Sequence, residues 1–410
     1  MRAVRRPASS DENGATMMRA AGKVNTPRAA RRRALRRFPG GRYNSQTLSR
    51  QEETQGGGTS AARLAARDLR GVLLPFPTPF DERGEVDLGA LRSNVARWNE
   101  TGVAGYVALG STGERVHLDE AEAQRVVEAA RAAVPQELLF VVGVGQQSTR
   151  ATISEARRAA DAGADALLVI TPHFYRSAMT QDALSEHYER VADASPAPVI
   201  IYSIPQNTGV TLAPETVGRL SRHENVIGLK ESSGDVVAFV EMLRAAGDSE
   251  DFSMMTGHAS AFHASLAAGA RGGILAVACA VPRFAVALLR AFESGEHAAA
   301  RAMQHKLIPL ARAVTTRFGV GGLKYALELG GYAGGAVRAP LREPNEEARR
   351  EIARLFSGFG EYEGAATSSR GGPDEAAGAN KGAAAVVNSS GAVAASSADD
   401  GATGRKGAAS

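Results

Sequence analysis

Three short stretches of this chain carry side chains suited to chemistry on a carbonyl compound. Lys230 closes an apolar run, Asn225-Val-Ile-Gly-Leu-Lys230, and is followed by Glu-Ser-Ser-Gly234. Lysine is almost never buried without a partner or a task. Partial desolvation disfavours an ammonium and leaves a neutral amine that can attack a ketone. A rim lysine paired with Glu231 explains the same run equally well. Tyr202 ends a second apolar run, in Ile-Ile-Tyr-Ser-Ile-Pro-Gln-Asn-Thr-Gly209. Its phenol can give or take a proton, although a satisfied core tyrosine is the commoner fate. The third stretch is Gly110-Ser-Thr-Gly-Glu114, where two hydroxyls and the backbone N–H groups of a glycine turn could hold a carboxylate or phosphate. The pentapeptide also reads as a simple ST-turn before a helix. Taken together, an oxyanion cradle, a phenol and an amine could bind a 2-oxo acid, form an imine and move a proton while a C–C bond breaks or forms.

These groups work together only if the fold brings them to one place. Short β-branched or aliphatic runs at 71–76, 105–109, 138–143, 166–170, 199–202, 226–229, 253–256 and 273–277 read as strands. Amphipathic stretches at 87–101, 119–134, 149–162, 180–194, 214–222, 235–246 and 259–268 read as helices between them. Each strand-plus-helix repeat is about 20–33 residues, the length of a βα unit. The expected fold class is α/β, a (β/α)₈ TIM barrel, with an open doubly wound sheet as the alternative. In a barrel the three stretches would follow strands two, five and six and converge on one mouth. Further helices at 283–292, 296–317, 322–329 and 346–356 close the barrel and add a C-terminal helical extension. The domain reading is an arm and linker at 1–67, a catalytic barrel at 68–294, the extension at 295–358 and a Gly/Ala/Ser tail at 359–410.

Composition narrows the function classes. The net charge of +4 is uneven, because residues 1–50 hold 12 Arg and one Lys against Asp11 and Glu12, a balance of +11. The remainder therefore sums to −7. Stretches such as Arg28-Ala-Ala-Arg-Arg-Arg-Ala-Leu-Arg-Arg-Phe38 have the composition of a transit peptide, mitochondrial or plastid. A nucleic-acid-binding arm and a plain disordered tail are the competing readings. No apolar run reaches the roughly 18 residues needed to span a membrane. The single cysteine, Cys279, leaves no intramolecular disulfide and no Cys cluster for zinc. His117, His173, His187, His223, His258 and His263 show no HExxH or other paired spacing. The run Leu139-Phe-Val-Val-Gly-Val-Gly-Gln-Gln-Ser148, with Asp165 beyond it, has the outline of a dinucleotide fingerprint. Ser148 stands where its third glycine should be.

These motifs are similar to those of the dihydrodipicolinate synthase and N-acetylneuraminate lyase superfamily of class I aldolases, over about residues 71–355. Leu74-Pro-Phe-Pro-Thr-Pro-Phe80 resembles its first-strand signature, Gly110-Ser-Thr-Gly-Glu114 its carboxylate motif, and the Tyr202 and Lys230 segments its two catalytic signatures. Within the family the chain most resembles the 4-hydroxy-2-oxoglutarate aldolase branch, mitochondrial in animals. That likeness rests on Tyr202-Ser-Ile-Pro-Gln-Asn-Thr-Gly209, Arg317-Phe-Gly-Val-Gly-Gly-Leu-Lys324 and Gly331-Tyr-Ala-Gly-Gly-Ala-Val-Arg-Ala-Pro-Leu341.

The resemblance implies that Lys230 forms the imine, Tyr202 transfers the proton, and Ser111 and Thr112 hold the C1 carboxylate. It places Ser232, Gly257, Ile274 and Asn207 around the substrate and implies no metal or diffusible cofactor. A homotetramer built as a dimer of dimers is its expected assembly, a small 2-oxo acid its expected partner, and pyruvate plus an aldehyde such as glyoxylate its products. Four departures bear on the aldehyde. Asn207 stands where dihydrodipicolinate synthases usually carry Arg, and Thr112 where the 4-hydroxy-2-oxoglutarate branch often has Asn. Phe174, in Thr171-Pro-His-Phe-Tyr-Arg176, takes the place of a relay tyrosine, which leaves Tyr175 as a candidate substitute. His258-Ala259 follows Gly257 without the acidic residues of many lyases. The other readings left open are a sugar-acid or neuraminate lyase, a dihydrodipicolinate synthase and a non-catalytic barrel that binds 2-oxo acids.

Overall fold

The computed structural model describes Ala65, residues 68–247 and residues 249–363. The expected transit peptide, and the expected tail from residue 364 onward, lie outside the described residues. Eight parallel strands form a closed barrel in chain order, β1 (Gly71–Leu74), β2 (Gly105–Ala108), β3 (Leu139–Val144), β4 (Ala166–Ile170), β5 (Val199–Ser203), β6 (Val226–Glu231), β7 (Ser253–Thr256) and β8 (Gly272–Ile274). The closing pair, with Leu73 opposite Ile274, removes the open-sheet alternative. It also leaves β3 inside a barrel, with no nucleotide-binding half around the Gly143 to Gly145 turn.

Helices α1 (Leu88–Trp98), α2 (Glu120–Ala133), α3 (Thr149–Asp161) and α4 (Gln181–Ala194) follow β1 to β4. The short α5 (Pro205–Thr208) and then α6 (Pro214–Leu220) follow β5, and α7 (Val236–Ala246), α8 (Phe262–Ala268) and α9 (Pro282–Glu293) follow β6 to β8. Polar residues start several of them. Asp87, Ser148, Thr180 and Asp235 each accept a hydrogen bond from a first-turn N–H. Asp119 and Glu122 form a reciprocal capping box on α2. No helix among the described residues is long and apolar enough to cross a membrane.

Two cores divide the apolar residues by strand parity. Leu73, Val107, Val141, Leu168, Ile200 and Met255 fill the barrel interior. Val72, Val142, Val169, Ile201 and Leu229 face the helices. The extension comprises α10 (His297–Arg312), a π-helical turn at Ala313–Arg317, α11 (Gly319–Leu329), α12 (Glu346–Phe356) and α13 (Gly360–Glu363). The expected start of the tail at 359 is corrected. Phe359 is buried and packs edge-on against Phe284 at 4.8 Å, and Glu363 accepts the backbone N–H of Phe284 at 3.0 Å. Aromatic burial and a carboxylate on the first turn of α9 hold the chain down as far as Glu363.

Candidate active site

Lys230 reaches the barrel mouth because β6 breaks its own alternation. Val199 pairs with Val226, yet Ile200 pairs with Gly228, so Ile227 is an extra residue on β6. Val226 faces the helices, and an unbroken period of two would send Lys230 the same way. The bulge reverses the phase, puts Ile227 in the interior core, and sets Lys230 opposite Tyr202, which also faces inward. Strand β6 also runs past the expected end at 229 to Glu231.

Lys230 is only 4 % exposed, and its Nζ lies 4.3 Å from the centre of the Tyr202 ring. The alternative pairing with Glu231 is not what the fold builds. The Glu231 carboxylate turns into the β6–α7 turn, where Oε1 accepts the Ser233 N–H at 2.7 Å, and burial pushes its pKa up. The Tyr202 hydroxyl lies 3.2 Å from Ser111 Oγ, within a shared hydrogen bond. Ser111 and Thr112 sit in the 3₁₀ turn Ser111–Gly113 after β2. Leu109 and Glu114 flank that turn at φ 55° and 54°, a left-handed conformation rare outside glycine. Thr78 Oγ1 donates to the Gly113 carbonyl at 2.7 Å and ties the turn to the loop after β1.

Gly257 is present for want of space. A Cβ there would lie 1.9 Å from Ser232 Oγ and 2.9 Å from Lys230 Cε, so only glycine lets the two side chains sit beside β7. Ser232 Oγ is buried with no hydrogen-bond partner among the described residues. Lys230, Tyr202, Ser111, Thr112, Ser232, Gly257, Ile274 and Asn207 all line one cavity of about 600 Å³. Tyr175 does not. It is 69 % exposed and packs edge-on against Phe174 at 5.1 Å, and among the described residues no tyrosine besides Tyr202 lines the cavity.

Other cavity residues had no sequence signal. Gln206 spans the mouth and donates to the Ser232 carbonyl at 2.7 Å. Val314, Thr315 and Thr316 bring the π-helical turn of the extension to the cavity wall. A π turn is invisible to a search for period 3.6, although such turns gather at functional sites. Among the described residues, no group of three or more His, Cys, Asp or Glu side chains could hold a metal ion.

An amine and a phenol thus lie in contact beside hydroxyl donors for an anion, and the chain that builds them is similar to known proteins. Residues 68–358 match the model of the dihydrodipicolinate synthetase family. The 4-hydroxy-tetrahydrodipicolinate synthase of Syntrophus aciditrophicus is 35% identical over 292 residues, covering 71% of this chain and 99% of that protein. The crystal structure of dihydrodipicolinate synthase from Thermotoga maritima superposes with a TM-score of 0.67 at 29% identity, covering 71% of this chain and 98% of that one. A prophage protein of the same family from E. coli K12, solved in complex with pyruvate, gives a TM-score of 0.67 at 28% identity, covering 71% and 98%. Enzymes of this family bind pyruvate as a lysine imine and use no cofactor.

Proposed function

The chain belongs to the dihydrodipicolinate synthetase family of pyruvate-dependent class I aldolases and lyases, and from that premise we propose that it cleaves 4-hydroxy-2-oxoglutarate to pyruvate and glyoxylate. The observation that carries the aldolase reading is the contact of the Lys230 amine with the Tyr202 ring, 4.3 Å away, inside the cavity that also holds Ser111. Lys230 Nζ attacks the C2 carbonyl, and water leaves to form the imine. Ser111, Thr112 and the turn's N–H groups hold the C1 carboxylate. Tyr202 removes the C4 hydroxyl proton. The C3–C4 bond then breaks, its electron pair moves into the protonated imine to give an enamine, and glyoxylate departs. Protonation at C3 and hydrolysis of the imine release pyruvate and restore the amine.

The choice of substrate rests on the outer cavity. Asn207 lines it, and no arginine is among its lining residues. An Arg at that place would grip a second carboxylate through two parallel hydrogen bonds, and an amide offers less. This disfavours the condensation named for the Syntrophus aciditrophicus relative, even though that relative is a third identical to this chain. A coupled assay of pyruvate release from a panel of 2-oxo acids tests the choice. 4-Hydroxy-2-oxoglutarate should turn over fastest. Faster consumption of pyruvate with aspartate semialdehyde would instead mark a synthase. Organelle import and a homotetramer remain with the proposal, tested by the mature N-terminus and by sedimentation mass.

A further inference from the structure

We infer that His258 determines specificity at the aldehyde end of the substrate, donating a hydrogen bond from Nε2 to an anionic group such as the distal carboxylate. The inference deepens the aldolase reading and rests on it. His258 follows Gly257, whose Cα lies against Lys230 and Ser232, and its side chain lines the same cavity. Neither ring nitrogen hydrogen-bonds within the described residues, and of the two only Nδ1 is buried. A histidine kept for packing is normally satisfied. This one has an open nitrogen on the wall of a binding cavity.

The ring's position is defined by its surroundings. Gly234 has φ +81°, and a Cβ there would come within 2.9 Å of His258 Cδ2, so glycine makes room for the imidazole beside the β6–α7 turn. The His258 backbone N–H donates to Thr256 Oγ1 at 3.2 Å and fixes the chain at the end of β7. Burial lowers the imidazole pKa from its usual value, which favours the neutral ring. Nδ1 is buried without a partner, so a proton on Nε2 leaves no buried ring N–H unsatisfied.

Elimination leads to the same residue. With Lys230 engaged in the imine, no other lysine and no arginine lines the cavity, and His258 alone can take up positive charge. The neutral donors are partly committed. Gln206 Nε2 is bound to the Ser232 carbonyl, and Ser233 Oγ accepts the Asp235 N–H at 3.0 Å. Asn207, Ser260, Thr316 and Ser232, whose Oγ has no partner among the described residues, are the remaining neutral competitors. A charged acceptor binds better to a donor that can itself become charged than to an amide.

The test compares 4-hydroxy-2-oxoglutarate with 4-hydroxy-2-oxopentanoate, which replaces the distal carboxylate by a methyl group, in the full chain and in His258→Ala, His258→Gln and Asn207→Ala. Loss of a hydrogen bond to a charged group should cut the preference in kcat/KM for the carboxylated substrate by about 10- to 100-fold in His258→Ala. His258→Gln should retain part of it through its amide N–H. Pyruvate trapped by borohydride on Lys230 should persist in the His258 variants, which separates lost recognition from a lost fold. An unchanged preference in His258→Ala with the adduct intact, or a loss confined to Asn207→Ala, would overturn the inference alone. No adduct in the unaltered protein would overturn the aldolase reading and the inference with it.

Discussion

Among the described residues two lysines are buried, one in the barrel and one in the extension, and they serve opposite purposes. Lys230 and Lys324 are 4 % and 2 % exposed, whereas Lys306, the third lysine among the described residues, pairs with Glu361 at the surface. Lys324, on α11, meets Glu114 Oε1 at 2.7 Å, donates to the Ala336 carbonyl and lies 4.5 Å from the Phe80 ring centre. Glu114 in turn accepts the Arg338 N–H at 3.1 Å and approaches His117 Nδ1 at 3.2 Å. Burial lowers the Lys324 pKa, and the Glu114 charge opposes that shift. Lys230 lies against a phenol ring, and no carboxylate among the described residues pairs with it. Burial alone therefore does not make a lysine a nucleophile. A lysine supplied with an acid is a rivet, and here the rivet joins the extension to the residue that closes the Ser111–Gly113 turn. A lysine buried without one has its amine free for substrate.

The comparison predicts different losses from the two sites. Lys230→Arg should abolish turnover and leave the melting temperature close to that of the unaltered protein, since an arginine side chain is of similar length but its guanidinium does not give up its proton to become a nucleophile. Measurable turnover in that variant would remove Lys230 from the chemistry. Tyr202→Phe should slow turnover by about 10²–10⁴-fold, the range for losing a proton-transfer group, and an unchanged rate would assign the proton elsewhere. Lys324→Met should have the smallest effect on the chemical step and a large one on the fold. Removing one partner of a buried pair costs about 3–5 kcal/mol, and replacing both partners restores much of it. Denaturant midpoints of Lys324→Met and of Lys324→Met with Glu114→Gln decide this, and a double variant less stable than the single would contradict the pairing. The KM for substrate should rise in the single variant, because Glu114 adjoins the carboxylate cradle.

Much of the barrel was legible because each strand is a short apolar run and several of the helices between them open on a polar cap, as at Asp119 and Asp235. Closure was legible only from the count of eight βα units and not from any local run, and the pairing of Leu73 with Ile274, two hundred positions apart, bears it out. At the site, the residue types pointed to imine chemistry, but the inward aim of Lys230 was hidden. Alternation counted from Val226 points it at the helices, and only the bulge at Ile227 turns it in. The exposure of Tyr175 was not legible either, because adjacency to Phe174 in sequence says nothing of burial, and both rings are exposed. The π-helical turn that brings Thr315 and Thr316 to the cavity also has no periodic signature.

Borohydride reduction in the presence of pyruvate, followed by peptide mass mapping, addresses the unpaired amine directly. A reduced pyruvyl adduct should form on Lys230, and none on Lys324, whose ammonium is held by Glu114. Trapping that survives Lys230→Ala, or an adduct on Lys324 in the folded protein, would contradict the account.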